Sequence, residues 1–202
     1  VRDTAYFHAE AEKYYRNPKL PEIGLVEGPN NRRLRIGLVM DSVTGYPTDL
    51  DTRTTVESTA RLLAGMGHSL EYMPMPVKDS FIEDFCLYWS MLAYTTRKGG
   101  KMMMDMSFDA DRVDGLSIGL SELFKKNFYK APMFLYRLRQ VYNDYAQVFA
   151  DYDVILSPVL GHTTPKLGYI SPNVPFDELM ARLGRYVSFT PLANVSGGPA
   201  IS

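Results

Sequence analysis

Apolar and polar positions along the chain fall into a repeating order of short apolar runs and amphipathic stretches. Residues 4–16 carry good helix formers and stop before Pro18, which predicts a short helix. Pro18, Pro21, Gly28 and Pro29 then punctuate a loop. The run LRIGLVM (34–40) is apolar on successive positions, as expected of a parallel strand covered on both faces. Thr54 and Glu57 have capping-box spacing, Val56, Ala60, Leu63 and Met66 recur at helical intervals, and Gly67 supplies a stop. HSLEYMPMPV (68–77) reads as a second strand, so residues 34–77 predict a βαβ unit with parallel strands and a right-handed crossover.

Ser80 and Glu83 repeat the capping-box spacing, opening a helix with Phe81, Phe85, Trp89 and Leu92 on one face and Gly99 and Gly100 at its end. The MMMDM run (102–106) reads as filling for irregular gaps in a core. Phe134, Leu138, Val141, Tyr145 and Val148 mark a long amphipathic helix over 132–150. DVILS (153–157) is a buried-type strand stopped by Pro158, and 176–186 is a further helix. Pro191, Gly197, Gly198 and Pro199 make 189–202 a shaped loop between short elements. The expected class is α/β: part of a large mixed sheet covered by helices.

Composition changes this picture mainly by exclusion. With 22 Lys+Arg against 23 Asp+Glu the formal charge is -1, so there is no basic field to attract nucleic acid or an anionic membrane. Apolar runs fall far short of the roughly 20 residues that span a bilayer. The single cysteine, Cys86, forms no internal disulfide, which fits a reducing, cytoplasmic setting. The chain begins without Met and stops at Ala200, Ile201 and Ser202 within an apolar run, and is expected to be an excised piece of something longer.

Candidate chemistry is sparse. Gly115, Ser117 and Gly119 match the GxSxG nucleophile elbow, with Asp153 and His162 following in hydrolase order, but the polar segment 105–114 before them is no elbow strand. A glycine-rich helix entrance is the better reading. His8 and Glu12 read as a solvated helix pair, since His8, His68 and His162 lack metal-ligand spacing. No cofactor is implied, because there is no Walker loop and no GxGxxG. The basic cluster 32–35 reads as a solvated strand entry, and the sequon at Asn194 as a turn in which Asn194 is buried and fixes backbone.

Taken in order, VRDTA (1–5), LRIGLV (34–39), LLAGMGHSLE (62–71), YDVILSPV (152–159) and FTPLANVSGGPAIS (189–202) resemble successive landmarks of the amidase signature family. NVSGGPAIS is similar to that family's N-x-x-G-x-P-A-x-S element. The resemblance implies that 1–202 is a single α/β domain fragment, the C-terminal part of an amidase-like domain. It further implies hydrolysis of carboxylic amides by a serine nucleophile, a second serine in a cis peptide and a lysine base. The glycine- and serine-rich loop and its upstream lysine have no match here, so no catalytic residue carries over. Phe189, Thr190 and Asn194 are the pocket candidates, with Ser157 and His162 behind them. The implied partners are a small-molecule amide, the missing N-terminal half of the same domain and, through wet apolar faces at 81–92 and 134–149, a second copy in a homo-oligomer. A rival reading is a ligand-binding module of periplasmic-binding or response-regulator type, with Asp41 at a strand end as its functional residue. That reading leaves 189–202 unexplained.

Overall fold

The computed structural model describes residues 2–29 and 31–202, which form two compact units, 1–33 and 34–202. In the first unit, helix α1 (Arg2–Tyr14) carries Glu12, whose carboxylate accepts the amides of Ile23 (3.0 Å) and Gly24 (2.7 Å). These bonds hold the strap that follows Pro18 along the helix and keep the Glu12 carboxyl below its usual pKa.

The second unit is built on three parallel strands, β1 (Arg35–Leu38), β2 (Ser69–Tyr72) and β3 (Val154–Leu156), in the order β2-β1-β3. Ile36 faces Leu70 on one side and Val154 on the other. Residues 36–40 are buried throughout, as a central parallel strand requires. Gly37 leaves room for Met73, whose Sδ would stand 2.3 Å from a Cβ at that position. The α/β class and the parallel β1/β2 pairing are as expected from the apolar runs, with each strand shorter than its run.

Helix α2 (Leu50–Gly65) joins β1 to β2 and starts earlier than the Thr54/Glu57 spacing suggests. Its N-cap is Asp49, whose side chain accepts the Thr52 amide at 2.8 Å. Gly67 ends it at φ 90°, as read from the sequence. The Thr52 hydroxyl, together with the Thr52 and Thr163 amides, holds the Asp49 carboxyl below the ordinary range. Asp49→Ala should lower stability by about 1 kcal/mol in urea unfolding at neutral pH. Because the folded-state pKa is depressed, this contribution is complete above the ordinary aspartate value of about 3.9 and fades as pH falls through the lower folded value. A loss of stability that stays constant down that acid limb would contradict the cap.

Helices α3 (Phe81–Met103), α4 (Gly115–Asn127) and α5 (Ala131–Val148) form the main helical layer. The faces expected to be wet cover one another: Phe81 and Leu87 of α3 pack with Phe134 and Leu138 of α5 in one buried cluster. Each such side chain is worth about 1.5–3 kcal/mol in burial. Helix α3 runs through Gly99 and Gly100 instead of ending there. A Cβ at Gly100 would lie 2.4 Å from the Phe108 ring, so this glycine serves packing. The methionine run is likewise corrected: Met102 is 87% exposed, and Met103, Met104 and Met106 are exposed with it. Ser80 stands at the α3 N-cap without a side-chain cap bond, so the second capping box does not form.

Helix α6 (Phe176–Tyr186) has the range its sequence predicts. The segment read as a shaped loop instead contains helix α7 (Pro191–Ser196), ended by Gly197 at φ 69°. Among the described residues, no helix is long and apolar enough to cross a membrane.

Candidate functional site

The chain leaves β1 for β2 on one side, while β3 lies on the other, so the crossovers diverge between β1 and β3. In open parallel sheets, ligands bind outside the carboxyl ends of the strands at such a switch point. A groove of about 470 Å³ reaches this point, running along β3 from Asp153 at its amino end to Ser157 and Pro158 beyond its carboxyl end, and its size is within the roughly 300–1,000 Å³ of small-molecule sites. Val39 follows β1 and is tied to β3 by its amide on the Leu156 carbonyl at 2.9 Å. Ser157 and Pro158 follow β3, and Met75 and Pro76 follow β2. The last turns of α5 supply Tyr145 and Phe149, and α7 with its flanks supplies Phe189, Thr190 and Leu192.

Of the residues singled out in the sequence, Phe189, Thr190 and Ser157 come together in this groove. Phe189 is buried. Thr190 is the N-cap of α7, and Ser157 donates its hydroxyl to the Pro158 carbonyl at 3.0 Å. Asn194 departs from expectation: it lies within α7, is exposed, and is not among the groove residues. The turn expected to bury it is helical, and an inner turn of a helix leaves its outer face to solvent.

His162 also lies outside the groove. Its ring packs 4.8 Å from that of Tyr186 and 5.9 Å from that of Tyr169, with Nδ1 2.7 Å from the Thr163 carbonyl and Nε2 buried without a partner. Asp49 fixes this loop by donating its amide to the Gly161 carbonyl (2.9 Å) and accepting the Thr163 amide (3.1 Å).

The elbow-like serine is structural. Ser117 sits in the first turn of α4, where N-cap Asp114 accepts its amide at 3.0 Å and its hydroxyl at 2.8 Å. Asp153 accepts the Arg35 amide at 2.8 Å, so it does not orient a histidine. Asp41 is 90% exposed and faces Arg53 at 3.5 Å, a surface ion pair. Burial pushes the Cys86 thiol up, away from a reactive thiolate. Among the described residues, no group of three or more His, Cys, Asp or Glu could hold a metal ion.

Sequence reasoning missed Met75, Pro76, Tyr145 and Phe149. Tyr145 belongs to the apolar stripe of α5, which packs inward at Phe134 and Leu138, while Tyr145 itself lines the groove. The i, i+4 pairing of Tyr145 with Phe149 was the available signal.

The Amidase family model matches residues 1–202. The protein named "Putative amidase AmiC" of Mycobacterium leprae is 41% identical over 203 residues, covering 100% of this chain and 43% of that protein. Its namesake in Mycobacterium tuberculosis strain H37Rv is 38% identical, again over 100% of this chain and 42% of that protein. The chain thus spans less than half the length of the curated relatives it matches. A 6-aminohexanoate cyclic dimer hydrolase structure superposes with a TM-score of 0.63 at 18% identity, covering 84% of this chain and 37% of that one. A bacterial aryl acylamidase of the amidase signature family gives 0.58 at 16% identity, covering 82% and 36%. These structural matches establish a shared fold.

Proposed function

The chain belongs to the amidase family, and from that premise we propose that it is the later part of an enzyme that hydrolyses carboxylic amide bonds. The carrying observation is a family match along all 202 residues by a chain that spans 43% of a relative. The serine nucleophile, the bridging serine and the lysine base then lie outside these residues. In that scheme a lysine neutralised by burial takes the proton relayed by the bridging serine, and backbone amides stabilise the tetrahedral oxyanion. This chain contributes one wall of the substrate pocket. Phe189, Thr190 and Ser157 contact substrate directly, whereas Asn194 and His162 stand away from this wall.

On this reading residues 1–202 are one fragment of a single domain, completed by an N-terminal half, and the whole works in the cytoplasm. Wet apolar side chains such as Tyr129, Met133 and Tyr136 support a covering partner, either that half or a second copy. The test is release of aniline from simple anilides by the full-length protein that contains these residues. Turnover above the uncatalysed rate is expected, and its absence across short and long acyl anilides would contradict the proposal.

A further inference from the structure

We propose that the groove selects uncharged amides carrying an apolar arm, and that the Tyr145 hydroxyl is the hydrogen-bonding group that seats them. This rests on the amidase reading and narrows it to a substrate class. The walls are apolar: Val39, Met75, Phe149, Phe189, Leu192 and Ile201 face the space. Asp153 is the charged residue among those lining it, and its carboxylate is committed to Arg35, with Oδ2 accepting the amide at 2.8 Å and Oδ1 3.5 Å from Nη2. Against this wall an ammonium or carboxylate arm would lose its water without gaining a counter-charge.

The polar groups are few. The Ser157 hydroxyl is spent on the Pro158 carbonyl. Thr190 adds a hydroxyl at the start of α7. Tyr145 differs from both in being wedged. Its ring meets Phe149 edge-on at 5.1 Å, and on another side it lies against Gly198, where a Cβ would stand 2.6 Å from the Tyr145 Cε1 atom. A side chain at position 198 would push the ring out of that position. Among the described residues the phenol has no hydrogen-bond partner, and burial raises its pKa, so it remains a protonated donor through the neutral range. A protonated donor beside an apolar wall fits a neutral carbonyl attached to an alkyl or aryl arm.

The full-length protein, its Tyr145→Phe variant and its Gly198→Val variant should be titrated calorimetrically with hexananilide and with the ω-amino and ω-carboxy derivatives of that anilide. Turnover and melting should be recorded in parallel. The wild type should bind the neutral anilide at least about tenfold more tightly than either charged one. Tyr145→Phe should weaken the neutral anilide by about two- to tenfold, the loss of one neutral hydrogen bond, and raise KM more than it lowers kcat. Melting should be unchanged. Gly198→Val should weaken binding at least as much by displacing the ring. Equal binding of the charged derivatives, or a Tyr145→Phe variant with wild-type affinity and KM, would overturn the inference while hydrolysis by the wild type upholds the amidase reading. Binding with these selectivities but no hydrolysis would uphold the groove's preference and overturn that reading. No binding of any anilide would overturn both.

Discussion

Arg137→Ala is expected to destabilise the protein by about 3–5 kcal/mol in urea unfolding, the range for stranding a buried charge. Asp84 lies on α3 with a side chain 1% exposed, and Arg137 on α5 grips it through Nε (2.8 Å) and Nη2 (2.5 Å). That two-bond grip also raises the Arg137 pKa, so the guanidinium stays charged at every accessible pH. The two partners are unequal, because Arg137 is 38% exposed. Removing Asp84 leaves a guanidinium that can turn to water, whereas removing Arg137 leaves a carboxylate buried without its counter-charge. Asp84→Asn should therefore be the milder change, and the reverse order would show that Asp84 is hydrated in solution.

Gly161→Ala is the second large effect, expected near the upper end of the 1–3 kcal/mol typical of overpacking, about 3 kcal/mol. A Cβ there would stand 2.1 Å from the Arg185 carbonyl oxygen, a backbone atom that cannot swing aside, and 2.9 Å from Ser188 Oγ. The glycine cannot back away either. Its amide donates to the Tyr186 carbonyl at 2.8 Å, and its carbonyl accepts the Asp49 amide at 2.9 Å. Through this junction the loop after β3, which carries Ser157 and Pro158 into the groove, is set against α6 and the start of α2. The variant should thus lose ligand affinity along with stability. A melt within a degree or two of wild type, with binding intact, would mean the loop is free to shift.

What the sequence reveals and what it hides follow from how local each signal is. The α6 range and the three apolar strands depend on runs and periodicities contained in the segments themselves, and they emerge in place. Helix starts depend on which of several capping residues wins. Asp49 begins α2 ahead of Thr54 because its carboxylate also secures the 161–163 loop, a tertiary gain invisible along the chain. Gly100 looks like a helix stop until Phe108 is seen lying across it. Helix α7 was legible in principle, since Pro191 at its first position and Gly197 just past its end are the usual asymmetry of helix punctuation. The groove was only half legible. Phe189, Thr190 and Ser157 could be drawn from the family resemblance, while Tyr145 and Met75 reach it only through tertiary packing of α5 and of the exit from β2.

On the proposed function, these residues build a pocket wall for a nucleophile located elsewhere in the same protein. The most direct measurement is to label the full-length protein with a fluorophosphonate and map the modified peptide by mass spectrometry. One stoichiometric adduct is expected, on a serine outside residues 1–202, its formation slowed by an uncharged anilide. Stoichiometric labelling of Ser117, Ser157 or any other serine within the chain would contradict it.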